Sequence, residues 1–155
     1  MDKLSWCKKQ KSGIQLIDPN INLSEEYLEK AENALKAVKA LEGNKEWQIS
    51  SAYYAMYFSL YAILMRIGVK CEIHDCTIEI MRQALNQFNQ EDVKLLRKSL
   101  KARIDTQYYT DRTVEEQQRM TMVENAVKFH LKCREICIRL SEAEIKSIRE
   151  ILARR

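Results

Sequence analysis

The chain is poor in the two residues that most often interrupt regular structure. Its 155 residues include only three glycines and one proline. Because glycine and proline concentrate in turns, this scarcity excludes a fold of many short strands and hairpins and favours long helices. The length suits one domain with a hydrophobic core of its own. No internal repeat or low-complexity tract divides the sequence.

Several motifs with recognisable chemistry are also absent. There is no glycine-rich phosphate loop, no Gly-x-Ser-x-Gly motif and no His-Glu-x-x-His motif. These absences argue against P-loop nucleotide hydrolysis, the common serine hydrolases and the common zinc proteases. The formal charge is +4, from 26 basic and 22 acidic residues. A charge this small does not by itself indicate nucleic-acid binding.

The cysteines are odd in number, and the sequence shows no export signal. Five cysteines occur, and residues 1–11 have no apolar run behind their basic residues. We therefore expect reduced thiols in a cytoplasmic protein. A zinc site is the alternative, with ligands from one of two groups: Cys71, His74 and Cys76, or His130, Cys133 and Cys137. Neither group has a paired Cys-x-x-Cys, so we expect no metal and no other cofactor.

One uncharged stretch dominates the first half of the chain. No charged side chain occurs from Gln48 to Met65. Adjacent apolar pairs recur there with the period of a helix: Tyr53/Tyr54, Tyr57/Phe58, Leu60/Tyr61 and Leu64/Met65. Between these stripes lie the small residues Ala55, Ser59 and Ala62. Because such a helix is apolar nearly all round, we expect it to be enclosed on several sides at the centre of an all-α domain.

A membrane-spanning helix is the alternative interpretation of this stretch. A helix needs about 20 apolar residues to cross a bilayer, and this stretch is barely long enough. The stretch also contains three serines and four tyrosines. Lipid would leave their hydroxyl groups without hydrogen-bond partners, so we expect a helix that is buried in protein.

Start and stop signals predict further helices along the chain. The expected helix starts or caps are Asn22 or Ser24, Asn44, Asp75, Asn89, Thr113 and Ser141. The last long helix carries an apolar seam with steps of four and three: Met122, Ala126, Phe129, Cys133, Ile136 and Leu140. We find no convincing strand. Residues 22–155 are expected to form a single helical domain, and residues 1–21 an ordered arm on it, with a frayed tail as the alternative.

The segment Arg103–Tyr109 is the leading candidate for a functional site. It joins the predicted end of a helix to a polar loop. An arginine there is suited to binding phosphate, and Asp105 with Tyr108 or Tyr109 is suited to orienting a hydroxyl group or moving a proton. On local sequence alone, the commoner role is structural, with Arg103 and Asp105 paired at the helix end while the tyrosines pack.

Two weaker candidates lie elsewhere. His74 stands alone before a predicted helix, where a capping or packing role is usual and Asp75 is the simpler cap. Near the N-terminus, Trp6 is surrounded by basic residues that offer charge and stacking to RNA: Lys3, Lys8, Lys9 and Lys11. A solvated chain end is the simpler explanation of this group.

Four segments, in their order along the chain, resemble the HEPN domain family. They are Ser51–Tyr57, Arg66–Lys70, His74 and Arg103–Tyr109. The resemblance extends over about residues 22–140, is most specific in the tyrosine-rich helix, and is greatest to small prokaryotic and archaeal members. It implies an antiparallel up-and-down bundle of four to five main helices with a short C-terminal helix, and it implies a homodimer.

The resemblance also implies a function. HEPN proteins are often encoded beside a minimal nucleotidyltransferase, as toxin and antitoxin, and in some of these toxins the partner modifies a tyrosine. Many members are metal-independent RNases that use an arginine, four to six further residues and then a histidine. This chain departs from that motif, because Tyr108 stands where the histidine would follow Arg103, and seven residues separate Arg66 from His74.

We therefore expect a nucleotide- or RNA-associated protein that is the binding or toxin-like partner of a minimal nucleotidyltransferase. In this hypothesis Arg103 contacts phosphate and Asp105 fixes the arginine. Tyr108 and Tyr109 then stack, form hydrogen bonds or accept the modification. The enzymatic alternative is a degenerate metal-independent endoribonuclease, with Arg103, Asp105 and Tyr108 as catalytic candidates. A purely structural helical adaptor is the third interpretation.

Overall fold

The computed structural model describes residues 2–154, which contain seven helices. In chain order they are α1 (Lys3–Lys9), α2 (Ile21–Ala40), α3 (Lys45–Ile67), α4 (His74–Ala84), α5 (Gln90–Tyr108), α6 (Glu116–Arg139) and α7 (Glu142–Ala153). They pack as a bundle, which confirms the prediction of an all-α fold. The structure also contains a small antiparallel ribbon, in which β1 (Gln15–Leu16) pairs with β2 (Val69–Lys70). The sequence did not predict this ribbon.

Helix α3 is the centre of the bundle, as its sequence predicts. It contacts α2, α5, α6 and α7. Its large apolar residues Met56, Leu60, Ile63 and Leu64 are completely buried. Each such side chain contributes about 1.5–3 kcal/mol relative to an exposed position. Within residues 2–154, no helix is both long enough and apolar enough to cross a membrane.

Small residues on α3 allow α2 and α6 to approach closely. Ser24 of α2 donates from Oγ to the carbonyl oxygen of Ala62 at 2.7 Å. Ser59 donates to the carbonyl oxygen of Ala55 at 2.7 Å, and its Oγ lies 2.8 Å from Nδ1 of His130 on α6. Burial lowers the pKa of His130. The neutral imidazole therefore serves as a buried structural link between α6 and α3.

Polar caps and one glycine fix the helix ends as predicted in four places. The Asn44 side chain caps α3, Asn89 forms a capping box with Asp92 at the start of α5, and Ser141 forms one with Glu144 at the start of α7. Gly68 ends α3 in the left-handed conformation, with a φ of 81° that favours glycine. A main-chain reversal at this point leads directly into β2.

Two predicted helix starts are displaced by a few residues. Asn20, rather than Asn22 or Ser24, caps α2. Helix α6 begins at Glu116, so Thr113 is not its cap. In both cases several polar residues within one turn are chemically able to cap, and the packing of the helix decides between them.

Asp75 does not cap α4, contrary to the prediction. The helix begins at His74, and Ile73 at the cap position supplies no side-chain hydrogen bond. The Asp75 carboxylate instead pairs with Lys3 at 2.8 Å and with Arg97 at 2.7 Å. Burial alone would raise the pKa of Asp75, but these two cations lower it overall. Asp75 therefore ties α4 to both α1 and α5.

The N-terminal segment contacts the rest of the bundle through α1 and β1. Helix α1 packs against α4, and a disulfide joins Cys7 to Cys76. Further along, β1 pairs with β2, with Leu16 opposite Val69. The expectation that all five cysteines are reduced is therefore wrong for this pair. The packing of α1 on α4 brings together two thiols that lie 69 positions apart in the sequence.

Candidate functional site

Three tyrosines of α3 and one histidine of α4 form an aromatic cluster. Tyr53, Tyr54 and Tyr57 lie within little more than one turn of α3, so their rings are neighbours. The Tyr53 hydroxyl lies 2.7 Å from Nδ1 of His74. The imidazole stacks on the Tyr57 ring, with 3.9 Å between centroids and 4° between planes. His74 is therefore held by both a hydrogen bond and a stacking contact.

Arg103 of α5 reaches the same tyrosines. Its Nη1 donates to the Tyr54 hydroxyl oxygen at 3.0 Å and to Gln107 Oε1 at 3.3 Å. The guanidinium carbon lies 5.2 Å from the Tyr53 ring centroid and 5.3 Å from that of Tyr54. The electron-rich ring faces attract the cation. The fold thus places Arg103 and His74 against the same two tyrosines.

Arg103 is a cation in a buried position. The residue is only 8% exposed, and within residues 2–154 its Nε has no hydrogen-bond partner. In the part of the chain that the structure describes, no carboxylate forms an ion pair with it. A buried charge normally requires a counter-charge, and an orphaned buried donor marks a place for water or an ion. The arrangement is therefore chemically suited to an anion such as a phosphate oxygen.

The imidazole of His74 is neutral at pH 7. Burial lowers the pKa of His74 to about 4, and the positive charge of Arg103 adds to the effect. Burial also raises the pKa of the Tyr53 hydroxyl. The cluster therefore combines one fixed positive charge with a neutral imidazole and neutral phenols.

Asp105 does not fix Arg103, and the two do not pair at the helix end, so both interpretations of that pair are wrong. The Asp105 carboxylate accepts from Lys101 Nζ at 2.5 Å and from Arg112 Nη1 at 2.9 Å. These two cations lower the pKa of Asp105. Helix α5 continues to Tyr108. Residues two positions apart on a helix point in different directions, which prevents the pairing of Arg103 with Asp105.

Tyr108 and Tyr109 lie at the exposed end of α5. The helix is longer than predicted, and the loop that follows it spans residues 109–115. Tyr108 is 66% and Tyr109 43% exposed. The Arg112 guanidinium carbon lies 3.6 Å from the Tyr109 ring centroid. Among residues 2–154, no hydrogen bond or ring contact joins either tyrosine to Arg103, and the two lie five and six positions beyond it along the chain.

Sequence reasoning missed the contribution of Tyr53, Tyr54 and His74 to this site. The tyrosines were assigned to the core, and His74 to capping or packing. One signal was available, because a tyrosine in a core needs a partner for its hydroxyl group. Two neighbouring tyrosines on a central helix therefore require polar side chains from other helices, and His74 and Arg103 supply them.

The basic N-terminal residues are partly engaged in the fold. Lys3 pairs with Asp75, and its Nζ lies 4.4 Å from the Trp6 ring centroid. Lys8 donates to the carbonyl oxygen of Arg154. These contacts attach α1 to the rest of the molecule and leave less of its charge available to a ligand.

The cysteine and histidine groups do not assemble a metal site in the part of the chain that is described. Cys76 is bonded to Cys7, which removes it from the group with Cys71 and His74. Cys133 is completely buried, and burial raises the pKa of its thiol. Within residues 2–154, no three histidine, cysteine or acidic side chains are placed to hold a metal ion.

Comparison with models of known protein families gives a match. Residues 24–147 match the model of the HEPN domain. A comparison with curated protein sequences gives no match. Since the matched segment covers most of the chain and includes α3, α4, α5 and α6, the protein belongs to the HEPN domain family, which is broadly associated with nucleotides and RNA.

Proposed function

We propose that the protein binds a phosphate group of a nucleotide or an RNA at Arg103. The observation that carries this proposal is the buried guanidinium group with an unpaired Nε and no carboxylate partner among the described residues. Nη1 is occupied by Tyr54 and Gln107. The donors left for phosphate oxygens are therefore on Nε and Nη2, and because Nε is buried, a phosphate reaches that edge only when the covering side chains move aside. Membership of the HEPN family supports a nucleotide or RNA as the source of the phosphate.

The exposed tyrosines give this site a surface for bases. Tyr108, the last residue of α5, and Tyr109, which follows it, lie five and six positions beyond Arg103 and are exposed. Nucleobases stack on such rings without regard to sequence. A chain of nucleotides whose phosphate lies at Arg103 is therefore proposed to place a neighbouring base on Tyr108 or Tyr109.

The same tyrosines support a role beside a second protein. Both residues are exposed to a modifying enzyme, and in some toxins of this family the partner modifies a tyrosine. We infer a homodimer that acts as the toxin-like partner of a minimal nucleotidyltransferase. Copurification from the native lysate tests this part of the proposal, and a tagged protein that recovers no nucleotidyltransferase contradicts it.

Replacing Arg103 with alanine is expected to weaken RNA binding about 10- to 100-fold, because a hydrogen bond to a charged group contributes about 1.5–3 kcal/mol. Arg103→Lys keeps the charge but loses the planar guanidinium group with its two parallel donors. Its RNA affinity is therefore expected to lie between those of the wild type and Arg103→Ala. Fluorescence anisotropy of a labelled single-stranded RNA, with ATP as a competitor, measures the dissociation constants.

Arg82→Gln is the matched control. It removes one positive charge from an arginine whose side chain is 52% exposed and paired with Glu79. The affinity of this variant is expected to stay close to that of the wild type. An equal loss in Arg82→Gln and Arg103→Ala would assign binding to non-specific charge attraction. A wild-type protein that binds neither RNA nor ATP contradicts the proposal itself.

A second candidate function is a degenerate metal-independent endoribonuclease, favoured by the neutral imidazole beside Arg103. In the tautomer whose Nδ1–H donates to the Tyr53 hydroxyl oxygen, the Nε2 lone pair of His74 is free. We propose that Nε2 takes the proton of an RNA 2′-hydroxyl as that oxygen attacks phosphorus. The 5′-oxygen then leaves with a proton from water, while Arg103 stabilises the phosphate charge. Lys101 and Arg112 already engage Asp105, so His74 is the better candidate base.

Gel electrophoresis of the RNA after incubation tests this second function. Since the pKa of His74 is about 4, the cleavage rate is expected to be constant at neutral pH and to fall as the pH approaches 4 and the base becomes protonated. His74→Ala is expected to lower the rate by about 100-fold or more. Intact RNA with the wild type, or equal rates in the two proteins, removes this candidate.

A further inference from the structure

An apolar stripe runs along the solvent side of α6. Met120, Val127, Leu131 and Ile138 are 45%, 47%, 54% and 71% exposed. At 100° per residue they fall within an arc of about 40°, opposite the face that packs into the bundle. An exposed row of large apolar side chains at helical spacing is unusual on a monomer and is typical of an interaction surface. The stripe is not part of the Arg103 site.

Two residues of opposite charge complete the stripe. Glu124 lies between Met120 and Val127, and Arg134 lies between Leu131 and Ile138. With them, the stripe advances in steps of four and three throughout, which is the repeat of a coiled-coil seam. Both charged residues are exposed. Within residues 2–154 neither of them forms an ion pair, so both charges are available to a partner.

The stripe is complementary to itself when two copies of α6 pack antiparallel. Around a two-fold axis level with residue 129, positions equally far before and after that residue face each other. The facing pairs are then Val127 with Leu131, Met120 with Ile138, and Glu124 with Arg134 of the other copy. Every apolar residue meets an apolar residue, and each charge meets its opposite.

A parallel arrangement of the same helices lacks this match. It would set Glu124 against the Glu124 of the other copy and Arg134 against the other Arg134. Like charges that face each other weaken an interface, so the charge pattern selects the antiparallel orientation. A two-fold axis also forms each favourable contact twice.

We propose that a second copy of this chain occupies the α6 stripe, with the two α6 helices antiparallel. This inference rests on the homodimer of the proposed function and supplies its interface. It does not depend on phosphate binding at Arg103. The protein is then expected to have about twice the chain mass of 18.3 kDa in solution.

Leu131→Glu is expected to break the interface, because the glutamate would be placed in the centre of the seam. Sedimentation equilibrium at several micromolar concentrations is expected to show a dissociation constant raised at least about tenfold, since central apolar contacts dominate such interfaces. Ile21→Glu is the matched control, at a residue that is 54% exposed on α2 and outside the stripe. It is expected to keep the dimer. Circular dichroism verifies that both variants are folded.

A charge exchange tests the orientation. Glu124→Arg and Arg134→Glu each place like charges opposite one another, and each is expected to weaken the dimer. The double variant, Glu124→Arg with Arg134→Glu, restores opposite charges at both facing positions and is expected to recover the dimer. A double variant that remains as weak as the single ones overturns the antiparallel register.

The remaining outcomes separate this interface from the proposed function. A monomeric wild type overturns both the interface and the homodimer. The α6 stripe would then be expected to bind a different kind of partner. A dimer that is unaffected by Leu131→Glu overturns the interface alone. RNA binding by the Arg103 variants is measured separately, by fluorescence anisotropy. If phosphate binding fails there, the molecular masses measured by sedimentation are unaffected, and the proposed interface still stands.

Discussion

Loss of the Cys7–Cys76 disulfide is expected to lower the free energy of unfolding by about 2–4 kcal/mol. The bond joins residues 69 positions apart in the sequence. A cross-link over so long a loop removes much of the conformational entropy of the unfolded chain. It also fastens α1 to α4 in the folded state. Urea unfolding followed by circular dichroism, with and without a thiol reductant, measures the difference.

The variant Cys7→Ser with Cys76→Ser is the control for this experiment. Its stability is expected to match that of the reduced wild type and not to respond to the reductant. Cys71, Cys133 and Cys137 are buried and free in the described structure, so they give the reductant no bond to break. If the oxidised and reduced wild type unfold at the same urea concentration, the stabilising role of the bond is refuted.

The helices were predictable because their signal is local. The apolar repeat of α3 and the seam of α6 have the helical period, and the structure buries both. Helix starts are harder to predict, since neighbouring polar residues compete for the same cap. Asn20 is the cap rather than Asn22, and Asp75 is drawn away from α4 by Lys3 and Arg97. Such ion pairs with distant elements are not visible in local sequence.

The Arg103 site was predictable only in part. The arginine itself stands out near a helix end, but its contacts depend on how α3, α4 and α5 cross in space. No spacing in the sequence indicates that Tyr53 would touch both Arg103 and His74. The prediction for Asp105 failed because α5 continues past it and nearby cations bind its carboxylate.

The cysteine pairing was not predictable from counting. An odd number of cysteines favours free thiols. Whether two thiols meet is decided by tertiary packing, here by the contact of α1 with α4. The unexpected ribbon between β1 and β2 has the same origin, because it depends on tertiary packing that places residues 15–16 beside the end of α3.

Leu60→Ala is expected to destabilise the protein by about 2–5 kcal/mol. Leu60 is completely buried in α3, the helix that contacts α2, α5, α6 and α7. Truncation removes its packing contacts and leaves a cavity that rigid neighbouring helices cannot fully close. Urea unfolding under oxidising conditions, with the Cys7–Cys76 bond intact, measures the loss.

Leu16→Ala is the matched control, because it removes the same atoms from a β1 residue that is 41% exposed. Its loss is expected to stay below about 1 kcal/mol. Equal losses in the two variants contradict the enclosed position of α3. Tyr53 and Tyr54 lie on the same helix as Leu60. The RNA affinity of the folded Leu60→Ala variant therefore reports on the position of α3. An unchanged affinity means that the cavity relaxes locally. A lower affinity means that α3 shifts enough to disturb the tyrosines that hold Arg103.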